Sequence, residues 1–249
     1  MESLWPRAAG VAGVRSLSLL LAILAAWPAC ALAQEVRRAG TPPDLTGVYQ
    51  SVSNGTILPG GLKNSGSPGE IALLPAAAEQ MKNANPKDDP WRMCQPIGEF
   101  RMMAREHTKI QLAPVNGMIV MLFEDIAHGL IRTIYMKRGH SERPTTGSDP
   151  NLPFSMSTWL GDSVGHWEGD TLVVDTIGFN TRTWLNDAGA PHSEALHLVE
   201  RIRPIRGGQV LEYKMIAEDP MALAKPYTYT RYYEKLSTEI ADDICRDEE

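Results

Sequence analysis

From residue 106 onward, apolar and polar residues alternate with a period of two in runs of five to nine residues, and turn residues break these runs. That period belongs to β-strands with one face on a core and one in water. "TKIQLAPVNGMIVMLFED" holds Asn116-Gly117 between two such runs, the strongest short-range hairpin signal. "GLIRTIYM" follows. "SVGHWEGDTLVVDTIGFN" reads as a hairpin around Gly169-Asp170, and "LHLVERIRPIRGGQVLEYKMIAED" as another around Gly207-Gly208. "YTYTRYYEKL" ends the series. With "LTGVYQSV" near residue 48, about nine strands joined mostly by short connections predict an all-β fold. The expected form is an antiparallel, lipocalin-like β-barrel, with a β-sandwich as the alternative.

The N-terminal part reads differently. Arg7 and Arg15 precede the apolar "SLSLLLAILAAW", and Ala31 and Ala33 supply small residues before Gln34. This is the pattern of a secretory signal over residues 1–33, and the run is short for a membrane span. Residues 34–105 are rich in Pro, Gly and Asn and read as an irregular wrapping segment. Its one strand is "LTGVYQSV". Its one short helix is "LPAAAEQMKNAN", with Pro75 suited to the first turn. Residues 106–249 form the barrel, packed with the wrapping segment as a single domain.

Register can be written out from the turns, because a short hairpin loop fixes which residues oppose one another. Around Gly207-Gly208 one face carries Leu196, Leu198, Glu200, Ile202, Leu211, Tyr213, Met215 and Ala217. His197, Arg201, Arg203 and Glu212 fall on the other, solvated face, unless a bulge at Pro204 shifts the register. A carboxylate on an apolar face requires a partner or a raised pKa. Arg132, which alternates with Leu130, Ile134 and Met136, is placed to be that partner. Two readings of the pair stand side by side: a structural ion pair, and the charged centre of a ligand pocket that also includes Tyr213. Around Gly169-Asp170, by contrast, Trp167, Leu172, Val174 and Thr176 share the inner face, and His166, Glu168 and Asp175 lie outside.

Loops at a barrel mouth are the usual place for binding groups. His128 lies in "EDIAHG", His140 in "KRGHSERP", and Asn180, Trp184 and His192 in "GFNTRTWLNDAGAPH". The last segment is long for a hairpin connection. It is expected either to cover the pocket or to pack Trp184 beneath its own loop. The net charge of −6, with no basic block, excludes a nucleic-acid footprint. Nothing resembles a Walker loop, a dinucleotide fingerprint or a metalloprotease helix, so no cofactor and no metal is expected. Once Cys30 leaves with the signal, Cys94 and Cys245 remain, and pairing is the simplest expectation for an exported chain. Such a bond would close a loop of about 150 residues, worth on the order of 4–5 kcal/mol.

The segments "PPDLTGVY", "PKDDPWRMCQPIG", "AHGLIRTIYM", "SVGHWEGDTLVVDTIGFNTRTWL" and "PHSEALHLVERI" resemble a family of exported bacterial proteins of unassigned function. The family pattern has "GHSVGRWEGD" where this chain has "GDSVGHWEGD", which weakens any role for Asp162 or His166. The resemblance implies export and one fold across the mature chain, and it implies no reaction. The expectation is therefore a periplasmic or secreted barrel that binds a small, largely apolar molecule around Glu200 and Arg132, without stable membrane insertion after signal cleavage. Arg132, Tyr213, Trp184, Asn180 and His140 are the expected ligand contacts. Two alternatives accompany it. One is a cofactor-free lyase, isomerase or hydrolase using Glu200, His128 or His192 as general acid or base. The other is an envelope scaffold that binds a protein partner.

Overall fold

The computed structural model describes residues 41–124, 130–140 and 158–241. Nine strands close into one barrel in sequence order: β1 (Gly47–Ser51), β2 (Lys109–Val115), β3 (Met118–Glu124), β4 (Ile131–Tyr135), β5 (Asp162–Glu168), β6 (Thr171–Ile177), β7 (His197–Ile205), β8 (Val210–Glu218) and β9 (Tyr227–Leu236). The barrel expectation holds, and the sandwich is set aside. The strand from the wrapping segment, β1, closes the barrel by pairing with both β2 and β9.

The turns fall where their residues allow positive φ. Asn116 (φ 45°) and Gly117 (φ 82°) join Val115 to Met118, as a two-residue hairpin of this composition requires. The β7–β8 ladder runs without a slip from His197↔Glu218 through Glu200↔Met215 to Ile205↔Val210, so Pro204 causes no bulge. Every residue expected on the inner face of this hairpin is buried, Glu200 included.

One pair departs from the antiparallel rule. β4 and β5 run parallel, with only Ile134↔Ser163 and Tyr135↔Val164 in register. Parallel neighbours need a crossover rather than a tight turn, and 26 residues separate these two strands. This seam is the thinnest part of the wall.

Among the described residues, two α-helices accompany the barrel. The expected one, α1 (Pro75–Lys82), begins at Pro75 as its sequence suggests. The second, α2 (Glu99–Ala104), has all six residues buried. Inward-facing side chains of β9 donate to its carbonyls: Tyr229 to Phe100 O (2.8 Å), Tyr233 to Met103 O (2.7 Å) and Arg231 Nε to Ala104 O (3.1 Å). The bonds to Met103 O and Ala104 O satisfy helix-end acceptors that would otherwise be orphaned. Phe100 packs edge-on against Tyr229 (5.2 Å), and Met102 and Met103 join the common core. The barrel interior is thus filled by a helix. Around it the wrapping segment runs through Pro-led 3₁₀ turns and is tacked to the barrel at Ser65↔Thr230 and Leu73↔Leu223.

Candidate functional site

Arg132 lies at the centre of the buried chemistry. A guanidinium carries five N–H donors in a fixed plane, and all five are used here. Nε donates to Ser163 Oγ (2.9 Å), and Nη1 donates to Glu99 Oε1 (2.8 Å) and Glu200 Oε1 (2.9 Å). Nη2 donates to Thr176 Oγ1 (2.8 Å) and to Glu200 Oε2. Tyr213 Oη donates to Glu200 Oε1 at 2.8 Å. One side chain on β4 therefore ties together β5, β6, β7 and, through Glu200, β8, along with α2. The side chains of Arg132, Glu99 and Glu200 are at most 1% exposed.

Two carboxyl groups face one cation in this cluster. Burial pushes Glu99 up to about 8; the Arg132 charge opposes the shift and the Glu200 charge adds to it. Glu99 is thus the carboxyl that stays protonated at neutral pH, and its Oε2 has no hydrogen-bond partner. The Arg132–Glu200 bidentate pair then carries no net charge into the core, which is how buried ions are tolerated. Tyr213 is raised well above its ordinary value by burial and by the Glu200 charge, so it remains a donor.

The expected pairing of Glu200 with Arg132 and Tyr213 is present, and of these three Arg132 lines the seam cavity. With α2 occupying the interior, Glu200 is 0% exposed and both its oxygens are engaged. A cavity of about 810 Å³ lies along the β4–β5 seam, and another of about 550 Å³ lies beside the β2–β3 turn. Outward-facing Ile131, Thr133 and Tyr135 form one wall and residues 158–161 the other, with Arg132 and Ser163 at the floor. The lining mixes apolar residues, Leu130, Leu160 and Ile177 among them, with Arg138, His140 and Asp162, and Ile177 is the cross-strand partner of Asp162. Arg138 stacks on the Tyr135 ring at 3.7 Å and donates to Asp162 Oδ1 at 2.5 Å.

The remaining expected residues separate. His140 lines the cavity. His192 is buried in its own loop. Its Nδ1 donates to Ser193 O (3.0 Å), and Nε2 accepts from Thr183 Oγ1 (2.6 Å). Burial lowers its pKa, only partly offset by the Ser193 carbonyl and the Asp219 charge, so the ring is a neutral structural element with both nitrogens taken. Asn180 Oδ1 accepts from Arg182 N (3.0 Å), a local turn bond. Trp184 packs beneath its own loop. A Cβ on Gly189 (φ +87°) would stand 3.8 Å from its ring and 2.4 Å from Ala84 Cβ, so that loop requires glycine. Trp184 does not line the seam cavity. His128 and Cys245 lie outside the described residues, and with Cys245 the expected disulfide to Cys94.

Sequence reasoning missed Glu99, Ser163 and Thr176 as partners of Arg132. Ser163 and Thr176 were legible as polar residues on an otherwise apolar strand face, whereas nothing in "GEFRMMA" announced Glu99. It also missed an outer-face cluster. Asp175, read as merely solvated, accepts from His140 Nε2 (2.6 Å) and His197 Nε2 (2.8 Å). Among the described residues no group of three or more His, Cys, Asp or Glu could hold a metal, and no helix is long and apolar enough to cross a membrane.

No protein-family profile and no curated protein sequence matches the chain. Similar solved structures include the REP1-NXSQ fatty acid transporter, 8% identical over 79% of this chain and 98% of that chain, with a TM-score of 0.38. Secretory abundant heat soluble protein 4 from Ramazzottius varieornatus is 10% identical over 80% and 99%, with a TM-score of 0.36. Zebrafish ileal bile acid-binding protein complexed with cholic acid is 9% identical over 77% and 98%, with a TM-score of 0.36.

The Glu99 proton makes stability depend on pH. A carboxyl raised from 4.5 to about 8 keeps a proton in the folded state that the unfolded chain has released. Its contribution is therefore full below pH 4.5 and is lost as the pH rises through about 8. Glu99→Gln, which mimics the protonated acid, should gain on the wild type by up to about 1.4 kcal/mol per pH unit between pH 5 and 8. Urea unfolding across that range reads it. A stability difference that stays constant with pH would mean that Glu99 carries no such proton.

Proposed function

We propose that the protein binds a small amphipathic molecule in the groove along the β4–β5 seam. One observation carries this reading: the groove has the volume of a small-molecule site, and its lining combines apolar side chains with a few charged ones. The barrel interior is closed to a ligand by α2, so the small-molecule expectation survives with its centre moved from Glu200 to the seam. Arg132 and Ser163 serve there as a rigid floor, and Glu200, Thr176 and Tyr213 hold that floor in place rather than touch the ligand. His140, which lines the groove, is a direct contact.

The neutral fluorescent probe N-phenyl-1-naphthylamine tests this. Thr133 points outward into the groove, and Thr133→Trp fills it without touching the core. Probe affinity should fall at least ~10-fold, a loss of ~1.4 kcal/mol. Met103→Ala, which loosens α2 inside the barrel, should leave probe affinity as it is. Undiminished binding by the groove-filled variant, with a change on loosening α2, would return the site to the interior.

We infer in addition that residues 1–33 direct export and are removed, on the basis of Arg7, Arg15, the apolar run and the Ala31-x-Ala33 pattern. The intact mass of protein from a cell-envelope fraction should correspond to a chain beginning at Gln34. A mass two hydrogens lower still would reveal the Cys94–Cys245 bond. The mass of the full chain would overturn the export reading.

A further inference from the structure

The seam is open in the backbone as well as in the side chains. Phe123 N donates to Leu130 O (3.0 Å) and Met136 N donates to Gly117 O (3.0 Å), and β3 and β4 pair in unbroken register between these two bonds. Antiparallel strands bond through every second residue. Arg132 and Ile134 therefore turn their backbone groups to β3, and Ile131, Thr133 and Tyr135 turn theirs towards β5. Among the described residues, the β4–β5 pairing begins only at Ile134↔Ser163. Two steps back in that register Gly161 would stand opposite Arg132, with its N–H on Ile131 C=O and its C=O on Thr133 N–H.

Gly161 does not make those bonds. Its φ of 68° is outside the strand region, and it lies against β6, where a Cβ would stand 2.6 Å from Thr176 Cγ2 and 2.8 Å from Ile177 O. Thr158 is held on the same side, donating to Gly178 O (3.4 Å) and accepting from Asn180 N (3.0 Å). Residues 158–161 thus follow the end of β6 and part from β4. Ile131 C=O and Thr133 N–H are left without a strand partner among the described residues, along the groove that both residues line. Ile131 is 62% exposed, so this edge is open from outside.

An unpaired strand edge is a template for another main chain. Here β4 begins at Ile131, so the edge is short and meets a single amino-acid unit rather than a long strand. Both arginines of the groove are already committed, Arg132 to its five bonds and Arg138 to Asp162. The backbone acceptor and donor remain for a ligand to engage.

We propose that the groove selects an apolar molecule carrying one extended N-acyl amino-acid unit. Its N–H donates to Ile131 C=O and its C=O accepts from Thr133 N–H, in the place that Gly161 vacates. The inference rests on the seam groove being the binding site. Leu130, Leu160 and Ile177 receive the apolar acyl body.

Titration calorimetry with two matched probes tests the proposal: N-octanoylglycine N-methylamide, and the ester analogue with oxygen in place of the glycine N–H. The ester keeps the body and the acceptor but loses the donor, so the amide should bind at least ~5-fold more tightly. In heteronuclear NMR spectra the Thr133 amide proton should move downfield and exchange more slowly when the amide probe binds. Thr133→Trp, which fills the groove, should weaken both probes. Equal affinity for amide and ester, or a Thr133 amide that does not respond, would overturn the inference and leave the groove standing. So would failure of both probes to bind while N-phenyl-1-naphthylamine still loses affinity in Thr133→Trp. Probe binding undiminished by Thr133→Trp would overturn the groove reading and this inference together.

Discussion

The five hydrogen bonds of the Arg132 guanidinium are the constraint on which the rest of the structure depends. A barrel of nine strands needs a continuous wall, and β4 and β5 supply only two registered pairs where they run parallel. Arg132 bridges that weak place from the inside, reaching Ser163 on the far side of the seam, Thr176 beyond it and Glu200 one strand further. Its hold on Glu99 adds the internal helix to the same assembly. The charge is tolerated because Glu200 neutralises it and Glu99 keeps its proton. Such pairs bring little net stability over apolar packing, but removing one partner strands the other. Their value here is positional.

That arrangement divides the molecule into an inside and an outside with different work. Tyr213, Tyr229, Tyr233 and Phe100 pack the interior around α2, and the tyrosine hydroxyls satisfy Glu200 and the helix carbonyls. Arg101 holds the opposite flank, binding Asp89 with two bonds (2.8 and 2.7 Å) and Asp187 of the long loop at 2.6 Å. The same thin seam that needs Arg132 on its inner side leaves a groove on its outer side. The groove's floor is rigid because the residues beneath it are locked, and rigid support is what a binding site needs.

Strand periodicity and turn chemistry carried much of this fold in legible form. Nine strands, three hairpin turns and the register of β7 against β8 follow from alternation and from Asn-Gly, Gly-Asp and Gly-Gly pairs. Glu200 stood out because a carboxylate on an apolar face is an exception that needs a partner, and Arg132 was the matching exception on another strand. The parallel seam was not legible, since pairing between distant strands leaves no local signature. Nor was α2: six residues buried on every side show no helical periodicity, so its presence inside the barrel, and Glu99 with it, could only come from the fold. The groove proposed as the binding site lies away from Glu200 for that reason. His192 and Trp184 looked functional because polar and aromatic residues in a long loop are ambiguous between binding and self-packing, and here self-packing won.

Native-state hydrogen exchange of Arg132→Met tests the central claim most directly. If Arg132 is the cross-link of the seam, amides of β4 and β5 should lose protection well before those of β7, β8 and β9, whose ladders are complete. Protection falling by the same factor in every strand would contradict the account, because it would make Arg132 one contributor to a uniform core rather than the tie that closes the wall.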